Sequence, residues 1–166
     1  RKHTRRKIYA LVNPIAHAIE GACITPDAKL DKLRVLELSA IEAISKGQGT
    51  PADMAAMRDM VNLAETMARG GVGPEALAPT EAAQAELVSM VERYNRTGRV
   101  GATGPGLELL REAFRWHDVQ RASISRSKYE WFIDKTANTM RTGGAGKVLK
   151  LDLTPTPVSR RNEHRA

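Results

Sequence analysis

The sequence predicts an all-α protein: a compact bundle of about six helices with a basic N-terminal arm and an extended C-terminal tail containing a short strand. Three observations carry that expectation. Helix-start signals built on Asn-Pro, Thr-Pro or a lone Thr or Ser recur along the chain, and glycines follow most of the segments they open. Apolar residues recur at spacings of three and four, and between Pro14 and Met140 nothing alternates with the period of two that a half-buried strand needs. With 166 residues the chain suits one domain and is long enough to bury a core. Aromatic residues make up only 4% while Met reaches 6, so that core must be aliphatic and Met-rich.

The elements follow in order. Residues 1–12 form the basic arm. Asn13 caps a short helix from Pro14 to Ala22. Thr25-Pro26-Asp27 opens a second helix, closed by Gly47, with Leu30, Leu33, Leu36, Ile41 and Ile44 on its inner face. Thr50-Pro51-Ala52-Asp53 places Asp53 where a capping box needs its acid, and this helix ends at Gly70-Gly71. Its buried stripe is Met54, Met57, Val61, Ala64 and Met67 or Ala68. Gly73 to Pro79 reads as a connector. Thr80 is expected to cap a helix to about Thr97, packed through Ala83, Leu87, Met90, Val91 and Tyr94. Gly98 to Gly106 holds four glycines and a proline and is the clearest loop. A helix from Leu107 to about Ala122 packs through Leu107, Leu110, Phe114 and His117. Ser127 with Glu130 starts the last helix, which packs through Phe132, Ile133, Thr136 and Met140; one long kinked helix is the alternative for these two.

The helical domain thus covers residues 13–142, and the pattern changes over 143–166. Glycines at 143, 144 and 146 form a hinge. Leu149, Leu151 and Leu153 then alternate with Lys150 and Asp152, as in a strand. That strand has two uses: pairing with a partner's sheet edge, or packing irregularly on the bundle. Thr154-Pro155-Thr156-Pro157 is a stiff spacer before Arg160 and Arg161.

The formal charge of +7 is unevenly placed. Residues 1–7 carry five positive charges (Arg1, Lys2, Arg5, Arg6, Lys7) and no negative one. Residues 141–166 carry six basic and two acidic side chains, ending in Arg160, Arg161 and Arg165. Between them, residues 8–92 are acidic overall and 93–128 are Arg-rich. Basic ends favour a polyanionic partner, because each cation that meets a phosphate releases condensed counterions. No aromatic residue interleaves with the arm charges, so the arms track backbone and do not read sequence. Arg93 and Arg96 at a helix end, with Arg99 in the following loop, form a second phosphate or acidic-partner clamp, or merely complement the helix dipole. Met54, Met57, Met60 and Met67 fill the core or present an adaptable partner surface.

Catalytic patterns fail. Gly143 to Lys147 evokes a phosphate-binding loop, but the position that needs its first glycine is Arg141, and Val148 stands where Ser or Thr is needed. Gly71-Val72-Gly73-Pro74-Glu75-Ala76 follows a helix, where a dinucleotide fingerprint needs a strand. No histidine pair has zinc-site spacing, and the one cysteine, Cys23, excludes a disulfide framework. His117-Asp118 reads as a core or edge pair, and Glu108 and Glu112 as partners of Arg111 and Arg115. No catalytic residue, cofactor or metal is expected. No apolar run approaches the roughly 20 residues of a membrane span and no signal peptide opens the chain, so a cytoplasmic location is expected.

The basic start, Ala43-Ile44-Ser45-Lys46-Gly47, the segment Asp53…Met57…Asn62-Leu63-Ala64-Glu65 and the later His117-Asp118-Val119-Gln120 resemble small helical proteins encoded in tailed phages and prophages. The likeness spans residues 1–140, carries over no functional residue, and implies the cytosol of a bacterial host. The expected function is therefore non-enzymatic: binding and modulating or inhibiting a host nucleoprotein machine, of the anti-CRISPR or other anti-defence type. The alternative is a direct nucleic-acid-binding accessory protein of phage transcription or replication.

Overall fold

A computed structural model describes Ala22 and residues 27–143. These residues form five α-helices: α1 (Asp27–Ser45), α2 (Pro51–Arg69), α3 (Leu77–Thr97), α4 (Gly104–Ala122) and α5 (Arg126–Thr142), with a 3-10 turn at Pro74–Ala76 leading into α3. The expected helical class is the one found. No strand occurs among the described residues, where Gly49 and Val100 form an isolated antiparallel bridge. The basic arm, the helix expected at Pro14–Ala22, Cys23 and the strand expected in the tail lie outside the described residues, except that Ala22 is helical.

Local signals set most of the boundaries. The Thr50 hydroxyl accepts from the Asp53 backbone N–H, and the Asp53 carboxylate accepts from the Thr50 backbone N–H at 2.7 Å, a complete capping box at the start of α2. Gly47, at φ +68°, takes the left-handed conformation that lets the chain leave α1.

Three starts differ from the sequence expectation. Thr80 is not a cap: it lies buried inside α3, and its hydroxyl donates to the Ala76 carbonyl one turn back. The 3-10 turn at Pro74–Ala76 begins that helix instead. α4 starts at Gly104, capped by Thr103, whose hydroxyl accepts from the Gly106 N–H at 3.1 Å. Two of the loop glycines are therefore helical. The cap of α5 is Ser125, two residues before the expected Ser127, and α4 and α5 are separate helices.

α2 is the central helix, with α1, α3, α4 and α5 packed against it. Every residue from Met60 to Ala68 is buried, which no one-sided helix shows. One cluster joins Ile41 and Ile44 of α1, Met54, Met57 and Met60 of α2, Leu87 and Met90 of α3 and Leu110 of α4. A smaller one holds Leu63, Met67, Val72, Ile124 and Phe132. All four α2 methionines are thus core filling and not a partner surface. α1 departs from its expected face. Leu33 and Leu36 are exposed, and Glu37 takes the inward position beside Leu30, Ala40, Ile41 and Ile44. In α5, Phe132 and Thr136 are buried as expected while Ile133 is exposed.

Candidate nucleic-acid interface

α1 and α4 run antiparallel. Arg34 and Glu37 of α1 meet Asp118 and Arg121 near the end of α4, whereas Lys46, just past α1, lines one groove with Arg111, earlier in α4. Between them lies an ionic cluster, buried at Arg121 and Glu37 and open to solvent at Asp118 and Arg34. Arg121 is only 1% exposed, with Nη1 2.9 Å from Glu37 Oε2 and Nη2 2.8 Å from Asp118 Oδ1. Its terminal N–H groups do not point along these contacts, so they are ion pairs more than aligned hydrogen bonds. Its Nε does donate to Asp118 at 2.9 Å, and its guanidinium lies 5.8 Å from the Phe114 ring centroid. Arg34 donates to the same Asp118 carboxylate at 2.8 Å.

Burial decides the protonation states here. It pushes the Glu37 carboxyl up to about 7, outweighing the attraction of Arg121. It pushes His117 down to about 3, helped by the Arg121 charge. His117 Nε2 meets the Tyr129 hydroxyl at 3.2 Å, and Nδ1 has no hydrogen-bond partner among the described residues. Burial likewise pushes Tyr129 up to about 12. Burial acts to raise Asp118 as well, but hydrogen bonds from Arg34 and Arg121 hold it below its ordinary value. The cluster locks α1 onto α4. His117, fully enclosed and neutral, has no face toward a substrate.

The surface carries the candidate contacts. Arg93, expected in a clamp with Arg96 and Arg99, is occupied. Its Nη2 lies 2.5 Å from Glu86 Oε1 and donates to the Gly101 carbonyl at 3.2 Å, tying the Gly98–Thr103 loop to α3. Arg96 and Arg99 are exposed and meet no carboxylate among the described residues. Of the three, Arg93 is thus committed to Glu86 and the loop. Arg111 pairs with Glu108 as expected, and Arg115 meets no carboxylate among the described residues.

Two surface features stand out. An open groove of about 770 Å³ runs between α1 and α4, floored by Val35, Leu38 and Phe114 and rimmed by Lys46, Arg111 and Arg115. On α5, Lys128, Trp131, Lys135 and Asn138 recur at three- and four-residue spacing and share one exposed face. Trp131 is 54% exposed, with Lys135 Nζ 4.9 Å from its ring centroid and the buried Phe132 ring edge-on at 4.9 Å. A shallow hollow of about 640 Å³ there is lined by Trp131, Asp134, Lys135, Ala137, Asn138 and Arg141.

Arg1, Lys2, Arg5, Arg6, Lys7, Arg160, Arg161 and Arg165, with Leu149, Leu151 and Leu153, lie outside the described residues. Among the described residues no three His, Cys, Asp or Glu side chains gather as a metal-binding group, and no helix is long and apolar enough to cross a membrane. No family model, curated protein or solved structure matches the chain. Reasoning from sequence missed the Trp131 face. The signal was its spacing with Lys128 and Lys135, hidden because the neighbouring Phe132 stripe had already accounted for the helix.

Proposed function

We propose that the protein is a non-enzymatic, phage-type binder that modulates or inhibits a host nucleoprotein complex, with its basic ends on the nucleic acid and its helical body on the protein. One observation supports this above others: the whole net charge lies outside the five helices. Residues 27–143 hold 16 basic and 16 acidic side chains, residues 1–26 hold five against one, and residues 144–166 five against two. A neutral scaffold with cationic ends gains its phosphate affinity from those ends through counterion release.

The exposed Val35, Leu36 and Leu38 favour a protein component over bare nucleic acid. The cationic rim of Lys46, Arg111 and Arg115 suits an acidic protein surface. Capture of partners from a host lysate, with and without nuclease, tests the reading. A host protein retained after nuclease supports it. Retention of nucleic acid alone favours the second reading, a direct nucleic-acid-binding accessory protein. In the full chain, replacing Arg1, Lys2, Arg5, Arg6 and Lys7 with Gln is expected to flatten the log–log salt slope of nucleic-acid binding by about 4. An unchanged slope removes the arm from the interface.

A further inference from the structure

We propose that the exposed face of α5 is a stacking site for single-stranded nucleic acid, with a base on the Trp131 ring and Lys128, Lys135 and Arg141 on the adjoining phosphates. The inference rests on the nucleoprotein reading above and gives it a defined contact on the described body.

The packing of α5 does not explain Trp131. The helix docks on α2 through Phe132 and Thr136, and Trp131 points outward from the next position. A large apolar ring left 54% exposed gains nothing for folding from its outer face. It is nevertheless held in place, since the buried Phe132 ring meets it edge-on. A pre-positioned ring loses little freedom when a base lands on it.

The cations around it are not committed to carboxylates. Arg34, Arg58, Arg69, Arg93, Arg111, Arg121 and Arg126 all pair with carboxylates. Lys128, Lys135 and Arg141 pair with none among the described residues; Arg141 donates to the Asn138 amide oxygen at 2.8 Å. Lys135 instead lies over the Trp131 ring, a cation–π contact that it can exchange for a phosphate when a base arrives. At about 1.5 Å of helix rise per residue, Lys128 and Lys135 stand about 10 Å apart on either side of the ring, the length of roughly three stacked nucleotides. Asp134 is the one acidic side chain lining the hollow and opposes phosphate there.

Single strands fit and duplexes do not, because an aromatic ring needs an unstacked base face.

The test uses the full chain carrying Trp116→Phe, which leaves Trp131 as its sole tryptophan. An oligothymidylate of about 12 nucleotides, within the span single-strand binders occupy, is titrated at low salt and followed by Trp131 fluorescence and by anisotropy of the labelled oligonucleotide. Saturable quenching is expected. Trp131→Ala should weaken binding about 10-fold or more, Trp131→Phe should restore part of the loss, and Asp134→Asn should tighten binding. Thermal melts confirm that these exposed substitutions leave the fold intact. Binding that proceeds without quenching and is indifferent to Trp131→Ala overturns the site while leaving the basic ends as the interface. Equal affinity for a duplex of the same length overturns the single-strand assignment. No binding at low salt overturns the stacking site, and the nuclease-treated capture then decides the broader reading independently.

Discussion

Nη1 of Arg121 lies 2.9 Å from Oε2 of Glu37, and both side chains are sealed between α1 and α4. Putting two charges inside a small helical body costs several kcal/mol per ion before their attraction is counted. Asp118 and Arg34 extend the pair to the surface, so the cluster drains toward solvent at one end. Its benefit is register. An apolar α1 could slide on α4, whereas Glu37 has a single guanidinium to meet.

Stability should be greatest as a plateau between about pH 4.5 and 6.5. Between its ordinary 4.5 and its folded value of about 7, Glu37 binds a proton in the folded chain that the unfolded chain lacks. Its contribution is therefore full below pH 4.5 and lost as pH rises through 7, of order 3 kcal/mol. His117, lowered from 6.5 to about 3, does the opposite: its contribution is full above pH 6.5 and lost as pH falls toward 3. The two slopes nearly cancel where they overlap, and Asp118 adds to the acid loss. Urea midpoints from pH 3 to 9 read the profile. Glu37→Gln should erase the alkaline fall and keep the acid one. An alkaline fall that survives in Glu37→Gln would show that it arises elsewhere.

Arg121→Met should cost about 3–5 kcal/mol at pH 7.5, because it strands the Glu37 carboxylate in the interior while Asp118 keeps Arg34. Combining it with Glu37→Leu removes the stranded group, and the double variant should recover most of that loss. Chemical unfolding of the two single variants and the double variant closes the cycle. A double variant no more stable than Arg121→Met would mean that Arg121 acts through packing on Phe114, 5.8 Å from the ring centroid, and not through charge.

Much of the fold was legible because its signals are local. Thr50 and Asp53, three residues apart, announce their own capping box, and Gly47 and Gly71 take the left-handed conformation in which the chain leaves its helix. The misread starts were local as well, but ambiguous. Thr103 and Pro105 sit among glycines, and Thr80 offers a hydroxyl that satisfies a carbonyl inside the helix as readily as it would cap one. The exposure of Leu33 and Leu36 was illegible for a different reason. Glu37 turns inward only because Arg121, 84 residues away in sequence, is there to receive it, and periodicity carries no such information. Trp131 was visible as a residue, but its exposure follows from how α5 seats Phe132 on α2.

Gly70→Ala tests that seating. A Cβ at position 70 would lie 2.5 Å from Phe132 Cε1 and 2.7 Å from Cζ, so the buried ring must move. A loss of about 2 kcal/mol is expected, typical of forcing bulk into a packed core. Gly101→Ala, where the added methyl meets open space, should stay within about 0.5 kcal/mol. Because Phe132 meets the Trp131 ring edge-on, Gly70→Ala should also shift Trp131 emission, a signal that a merely entropic effect at Gly70 leaves alone.

Three arginines that look alike in sequence, Arg93, Arg96 and Arg99, differ in what they hold. Arg93 joins Glu86 and the Gly101 carbonyl, and Glu86 is only 12% exposed. Removing the cation leaves a largely enclosed carboxylate and a loosened loop, so Arg93→Ala should lose about 1–2 kcal/mol of stability. Arg96 and Arg99 hold no carboxylate among the described residues, and their alanine variants should melt within about 0.5 kcal/mol of the parent. Their free charges are then available to a ligand. If the loop meets phosphate, each of Arg96→Ala and Arg99→Ala should lower the salt slope of nucleic-acid binding by about one without touching stability. Arg93→Ala should show the reverse pattern, a lower melting temperature with the slope intact. Stability loss in all three variants would make the cluster a helix-end support, since cations near a helix C-terminus are favoured with no ligand present.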